Sequence, residues 1–294
     1  MSIRWGVSPI AWSNDDMPEL GGDTPLEDIF NDIREVGFEG VELGGRFPKD
    51  PTELKAMLGS LDLIGGWYSG SLLVQDAEAE IAAMQPHMNL LKAMGSKVFV
   101  FAETSNAVHG NRSVPLSGTP RLAANDWKAF GERMSGVADY VASQGMKFAY
   151  HHHLGTVVET AADMDDFIAS TSPSVGFTLD TGHAALGGVN SLAVIRDHPE
   201  RVVHVHCKDV RWETFTKARK GGSSFLDGVL SGMFTVPGDG GIDYAEIMQA
   251  LRRMDYSGWI VIEAEQDPAL ANPRKYAELG LKTLKDRASE AGLI

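Results

Sequence analysis

Histidine and carboxylate side chains stand at the ends of four short, largely apolar segments in the second half of this 294-residue chain. One segment, residues 175–180, ends in Asp180 and is followed by Thr-Gly-His183. The other segments carry His151 to His153, then His204, His206 and Lys208, and finally Glu263 and Glu265. Imidazole and carboxylate groups together form a mixed ligand set that suits Mn²⁺, Co²⁺, Fe²⁺ or Zn²⁺. The pattern predicts divalent-metal chemistry if the four segments meet.

The group of residues is a stronger signal than any of its members, because a single strand histidine is more often a core residue than a ligand. Side chains alternate along a strand, so three pairs each share a face: His151 with His153, His204 with His206, and Glu263 with Glu265. By this alternation His152 points away from His151. A carboxylate such as Asp180 at the end of an apolar strand is costly to bury unless a cation or hydrogen bonds compensate it.

The elements that must position these groups alternate along the whole chain. The predicted strands are residues 3–8, 40–44, 63–68, 97–102, 147–153, 175–180, 202–208 and 259–264. The predicted helices are residues 26–36 (capped by Thr24), 52–59, 77–94, 125–144, 161–171, one from 191, 244–254 and one after 273. Eight strand–helix units predict an α/β fold, a single-domain (β/α)₈ TIM barrel over residues 1–294, with catalytic groups at the carboxyl ends of the strands.

Two long connections and one missing motif refine this prediction. The connections at residues 103–122 and 211–241 are unusually long. The first connection follows a strand's carboxyl end, where long loops are usually functional. An open doubly wound sheet is disfavoured, because residues 8–12 hold Ser-Pro-Ile-Ala-Trp12 where a glycine-rich phosphate loop is expected.

Composition excludes several classes of partner. The net charge of −14 argues against nucleic acid, because phosphate binding relies on clustered Lys and Arg. The single cysteine, Cys207, allows no disulfide framework within the chain. Neither a signal segment nor an apolar run of about 18 residues is present, so we expect no membrane partner and a cytoplasmic location.

Three motifs resemble the xylose-isomerase-like barrel superfamily: LDTGH at 179–183, VHCKD at 205–209 and WIVIE at 259–263. Further stretches resemble, within it, the inosose dehydratase family of myo-inositol degradation. They are GVSPIAW at 6–12 with NDD at 14–16, NRSVPLS at 111–117, SFLDGV at 224–229 with FTVPGDG at 234–240, and EAEQDP at 263–268. The resemblance spans essentially the whole chain, both long connections included.

The resemblance implies a metal-dependent lyase that removes water from 2-keto-myo-inositol, through a metal-stabilised enediolate, to give a trihydroxycyclohexane-1,2-dione. Mn²⁺ or Co²⁺ is the expected metal, and glutathione is associated with the activity. The implied metal ligands are Asp180, His206 and Glu263, with His151 or Glu159 as the fourth.

For the remaining roles we expect acid–base work from His153 or Glu265, with Lys208 or Arg211 orienting substrate oxygens. His183 and Trp12 are the expected substrate-binding residues. The expected partners are a small polyol or keto-cyclitol and, in a homo-oligomer, further copies of the chain.

Three alternative functions differ in what they require. A metal-dependent sugar or inosose isomerase or epimerase uses the same enediolate and differs only in returning a proton to carbon. A DNA-repair endonuclease on this fold needs a cluster of about three metals and a basic groove. The chain lacks that charge and the extra histidines on strand three. A non-catalytic sugar-binding protein would have no use for several buried histidine and carboxylate groups of the metal-binding type.

Overall fold

The computed structural model describes residues 2–294 and contains a closed barrel of eight parallel strands. We number these strands β1 (Ile3–Val7), β2 (Gly40–Leu43), β3 (Asp62–Gly70), β4 (Val98–Glu103), β5 (Lys147–His151), β6 (Gly176–Asp180), β7 (Val202–Cys207) and β8 (Gly258–Ile262). Each strand pairs with the next, and β1 closes the barrel on β8 with Ile3 opposite Gly258. The predicted barrel is confirmed, and the carboxyl ends of all eight strands surround one mouth.

The helices are α1 (Leu26–Val36), α2 (Pro51–Leu58), α3 (Ala77–Ala83), α4 (Gln85–Ala93), α5 (Trp127–Ser143), α6 (Ala161–Ser170), α7 (Thr181–Gly187), α8 (Ser191–Asp197), α9 (Trp212–Lys220), α10 (Phe225–Leu230), α11 (Tyr244–Arg253) and α12 (Pro273–Glu290). The prediction of a single helix over residues 77–94 is wrong. The helix is interrupted at Met84, and Pro86, whose ring nitrogen has no hydrogen to donate, lies in the first turn of the second helix. The predicted cap is also wrong, because α1 is preceded by Pro25 and has no side-chain cap.

The two long connections pack against each other above the mouth. The second contains α9, α10 and a strand, Phe234–Thr235, that pairs antiparallel with Asp209–Val210. The amide of Leu116 in the first donates to the carbonyl of Ser223 in the second at 2.8 Å. A separate apolar cluster lies under the second connection, and Leu116 of the first connection packs against it; its buried members are Met17, Leu154, Leu186, Val210, Phe215, Phe225, Leu226, Val229, Met233 and Phe234.

This cluster makes the connections part of the packed structure. Fully burying one phenylalanine contributes about 1.5–3 kcal/mol, and Phe225 and Phe234 are 3% and 0% exposed. The loops therefore present fixed walls to whatever lies at the mouth. Across residues 2–294, none of the helices combines the length and the apolar character needed to span a membrane.

Candidate metal centre and active site

Four side chains from neighbouring strands converge at the barrel mouth. His151 ends β5, Asp180 ends β6, His206 lies in β7 and Glu263 follows β8. One nitrogen or oxygen of each lies within 4.8 Å of those of the other three. His151 Nε2 is 3.3 Å from His206 Nδ1 and 3.7 Å from Asp180 Oδ2, and Glu263 Oε2 is 3.4 Å from His206 Nδ1. The sequence-predicted ligands are thus brought together.

The arrangement fits a bound cation. Ligand bonds of about 2.0–2.2 Å to a central ion separate neighbouring ligand atoms by distances of this order. Asp180 Oδ2 is fully buried and has no hydrogen-bond partner among the described residues, so a strong acceptor faces the centre unsatisfied. Burial, with the charge of His206, lowers the pKa of His151 to about 3, which keeps this imidazole in the neutral form that binds metals.

Negative charge is in excess around the centre. Lys208 is fully buried, and its Nζ lies 2.7 Å from Glu263 Oε2 and 2.5 Å from Glu265 Oε1. Burial alone lowers the pKa of Lys208, but Glu263, Glu265 and Asp180 outweigh it and raise that pKa, so the side chain stays an ammonium. One ammonium against these carboxylates leaves a deficit of positive charge, which a divalent cation offsets.

A further carboxylate, Glu42 of β2, contacts His206 of the ligand cluster from across the barrel. Glu42 Oε1 accepts hydrogen bonds from His206 Nε2 at 3.0 Å and from His204 Nε2 at 2.8 Å. Burial raises the pKa of Glu42, but the two imidazoles reverse the effect and hold it at about 2. The Nε2 side of the His206 ring therefore hydrogen-bonds to a carboxylate, and its Nδ1 side faces the ligand cluster.

A second group of titratable residues lies beside the cluster. His153, His183 and Glu265 each place a nitrogen or oxygen within 4.8 Å of the others, and the two imidazole rings are 3.8 Å apart. Burial raises the pKa of Glu265, as does Glu263, and the opposing charge of Lys208 leaves it at about 7. Burial also lowers the pKa of His153 well below its usual value. Glu265 is thus suited to exchange protons near neutral pH.

Both groups open into one cavity of about 240 Å³ at the mouth. Five of the sequence-predicted site residues line it: His151, His153, His206, Glu263 and Glu265. Glu42, a polar residue near the end of β2, lines it as well. The lining also includes residues that the motifs did not assign to the site, namely Asp15, Asp16, Lys49, Trp67, His87 and His109.

Two predicted residues, Trp12 and Arg211, are turned away from the cavity. Trp12 is buried away from the cavity and donates from Nε1 to Asp32 at 3.0 Å. Arg211 binds Asp239 and the carbonyl of Gly232, so it holds the two-stranded ribbon together. The substrate-binding roles expected for these two are therefore corrected, because their polar groups are already bound within the protein.

Lys208 and His183 lie behind the cavity wall. His183 belongs to α7, is 1% exposed, and its Nε2 is 3.0 Å from Lys208 Nζ. A Cβ on Gly182 would lie 2.7 Å from Lys208 Cγ, so the glycine permits this close approach. Both residues contact the groups that line the cavity and do not line it themselves.

Of the two candidates for the fourth ligand position, His151 is the one brought to the cluster. Glu159 instead accepts hydrogen bonds from the hydroxyl of Thr119 at 2.6 Å and the amide of Gly155 at 2.7 Å. It fastens the loop after β5 to the long connection after β4.

Comparison with known proteins places these features in a family. The profile of the family described as "Xylose isomerase-like TIM barrel" matches residues 30–287. The rhizopine catabolism protein MocC of Rhizobium meliloti is 44% identical over 294 residues, covering 99% of this chain and 90% of that protein. An inosose dehydratase of Lacticaseibacillus casei is 40% identical over 282 residues, covering 94% of each chain.

Solved structures share the fold at low sequence identity. A probable 3-DHS dehydratase, AsbF, involved in petrobactin synthesis from Bacillus anthracis superposes with a TM-score of 0.70 at 15% identity, covering 96% of this chain and 98% of that one. An L-ribulose 3-epimerase superposes with a TM-score of 0.68 at 16% identity, covering 100% and 96%. Such identities show the common barrel alone.

Proposed function

The chain belongs to the xylose isomerase-like TIM barrel family, and from that premise we propose that it is an inosose dehydratase. The reaction is the removal of water from 2-keto-myo-inositol to give a trihydroxycyclohexane-1,2-dione in inositol catabolism. The observation that carries the proposal is the convergence of His151, Asp180, His206 and Glu263 at a cavity that Glu265 also lines. Full-length similarity to inosose dehydratases at 37–40% identity supports the choice of reaction.

The proposed cofactor is Mn²⁺ or Co²⁺, held by the four residues of the cluster. When bound, such a cation supplies Lewis-acid polarisation of the ketone and a neighbouring hydroxyl, which acidifies the α-proton. His151 contributes a neutral imidazole, whereas Asp180 and Glu263 contribute negative charge. The mixed donor set is of the type that such ions accept.

Glu265 is the proposed acid–base residue. It lines the cavity beside the cluster, and its pKa of about 7 makes both of its protonation states available near neutral pH. In the proposed step its carboxylate takes the α-proton, and the resulting acid delivers a proton to the departing β-hydroxyl, which leaves as water. His153, also on the cavity wall, hydrogen-bonds a substrate hydroxyl.

Lys208 acts on this chemistry from behind the wall. Its ammonium bridges Glu263 and Glu265 at 2.7 and 2.5 Å, so it fixes the spacing between a proposed ligand and the proposed acid–base group. We therefore assign Lys208 a positioning role in place of direct contact with substrate oxygens.

Two other activities share this chemistry. An inosose or sugar epimerase would return the proton to carbon and retain the hydroxyl. The 44% identical relative named for rhizopine catabolism favours a rhizopine as a second substrate to test.

The test is incubation of the purified protein with 2-keto-myo-inositol, followed by ultraviolet absorbance of the conjugated dione. We expect absorbance to appear with Mn²⁺ or Co²⁺ and to disappear after chelation, and parallel samples with glutathione test its part. An isomeric cyclitol without dione would identify an epimerase, and turnover of a rhizopine alone would identify the second candidate.

Cytoplasmic location, a homo-oligomer and a single domain stay predictions. Light scattering tests the homo-oligomer, and a single cooperative unfolding transition tests the single domain.

A further inference from the structure

We propose that Glu42 is a positioning residue that fixes the orientation of the His206 ring, so that His206 Nδ1 is presented to the metal. The inference rests on the proposed metal-dependent function and adds a residue on β2 to a site otherwise built from β5 to β8. Glu42 belongs to none of the sequence motifs that predicted the metal ligands.

The contact crosses the interior of the barrel. β2 and β7 are not neighbours in the sheet, since β1 and β8 lie between them on the shorter path. Glu42 is 5% exposed and stands between Val41 and Leu43 in β2, yet its carboxylate extends inward to His204 and His206. A carboxylate so buried is retained only with partners that compensate it, and two imidazole N–H groups do so here.

The hydrogen bond determines which nitrogen of His206 is free. An imidazole that binds a metal through Nδ1 carries its one N–H at Nε2, the atom that lies 3.0 Å from Glu42 Oε1. The lone pair of Nδ1 then points toward His151 Nε2 at 3.3 Å, Glu263 Oε2 at 3.4 Å and Asp180 Oδ2 at 3.7 Å. Carboxylate–histidine pairs of this kind orient ligands and increase their basicity.

His204 forms a second hydrogen bond to the carboxylate of Glu42. Its Nε2 donates to the same oxygen of Glu42, and its Nδ1 has no partner among the described residues. His204 therefore makes no direct contribution to the ligand cluster and serves to hold Glu42 Oε1 in line with His206.

The experiment titrates metal-free protein with Co²⁺ and follows the visible ligand-field absorption, which reports both affinity and coordination. Loss of a carboxylate that orients a ligand lowers metal affinity about 10–100-fold. We expect about 10-fold for Glu42→Gln, which keeps the volume and an acceptor oxygen, and about 100-fold for Glu42→Leu. The altered absorption band reports the changed ligand geometry independently of turnover.

Glu103→Gln is the matched control. Glu103 is also a fully buried carboxylate at a strand end, but it binds the backbone and hydroxyl of Ser105 and lies outside the cluster. Its replacement should leave Co²⁺ affinity unchanged. Equal affinity in wild type, Glu42→Gln and Glu42→Leu would overturn the positioning role.

The outcomes separate this inference from the proposed function. If wild-type protein binds Co²⁺ in the predicted manner but forms no dione, the dehydratase proposal fails and the role of Glu42 stands. If wild-type protein binds no Co²⁺, both fail. Should the variants not fold, ¹⁵N NMR of Zn²⁺-loaded wild-type protein decides the matter: His206 protonated at Nε2 supports the inference, and protonation at Nδ1 overturns it.

Discussion

Replacing Lys208 by Met removes the one ammonium from the buried carboxylates of the site. Lys208 is 0% exposed, and its charge is shared between Glu263 at 2.7 Å and Glu265 at 2.5 Å. Removing one partner of a buried ion pair typically costs about 3–5 kcal/mol, because the remaining charge keeps its desolvation penalty. We expect a loss of this size in the free energy of unfolding of the metal-free protein.

An exposed ion pair of the same length provides the control. Lys217 Nζ lies 2.7 Å from Glu213 Oε1, the distance found between Lys208 and Glu263, but these two side chains are 74% and 82% exposed. Water already solvates both charges of the exposed pair, so Lys217→Met should leave stability unchanged within error. The difference between the two variants isolates the effect of burial.

Urea unfolding followed by circular dichroism measures both variants, in chelator and in Mn²⁺. Mn²⁺ should restore part of the stability lost in Lys208→Met, because bound cation supplies positive charge to the same carboxylates. A loss below about 1 kcal/mol in chelator would refute the reasoning, since that is the range of exposed pairs.

Three other predictions address the ligands, a buried histidine and a corrected residue. Glu263→Gln removes an anionic ligand, so metal content and dione formation should both fall to background; turnover with retained metal would contradict the ligand role. Burial lowers the pKa of His87 from 6.5 to about 4, so folded protein disfavours its protonation and stability should fall on acidification from pH 6.5 toward pH 4. His87→Leu should reduce that fall by about 1.4 kcal/mol per pH unit in urea unfolding, and an unchanged slope would refute this. Arg211→Met should lower the melting temperature and leave KM for 2-keto-myo-inositol unchanged, whereas a large rise in KM would return Arg211 to the binding site.

The barrel was predictable because eight short, largely apolar runs alternate with helical segments along the whole chain. The carboxyl ends of the strands supplied the candidate groups, and the family resemblance selected Asp180, His206 and Glu263 among them, with His151 or Glu159 as the fourth; the structure brings His151 to the other three. Strand ends are determined by local sequence, so their prediction needs no knowledge of distant contacts.

The groups that were missed or misplaced depend on contacts between distant segments. Trp12 and Arg211 lie near strand ends in sequence, but Asp32 and Asp239 turn them away from the cavity. The inward-facing position of Glu42 between two apolar residues was the available signal for its role. Its partner on β7 follows only from the closed barrel.

The segment after β6 illustrates the same limit. His183 was expected at a strand's tip, yet α7 begins directly at Thr181, where Asp180 caps the helix by accepting from the amide of His183 at 2.8 Å. A helix of seven residues containing two glycines carries too little periodic pattern to be predicted, and its cap depends on a residue that also belongs to the strand.

The most direct test is a stepwise titration of metal-free protein with Mn²⁺ while the formation of dione from 2-keto-myo-inositol is measured. The single cluster of His151, Asp180, His206 and Glu263 predicts that activity rises in proportion to bound metal and saturates at one ion per chain. Full activity in the metal-free protein, or saturation only at two or more ions, would contradict a dehydratase with one metal centre.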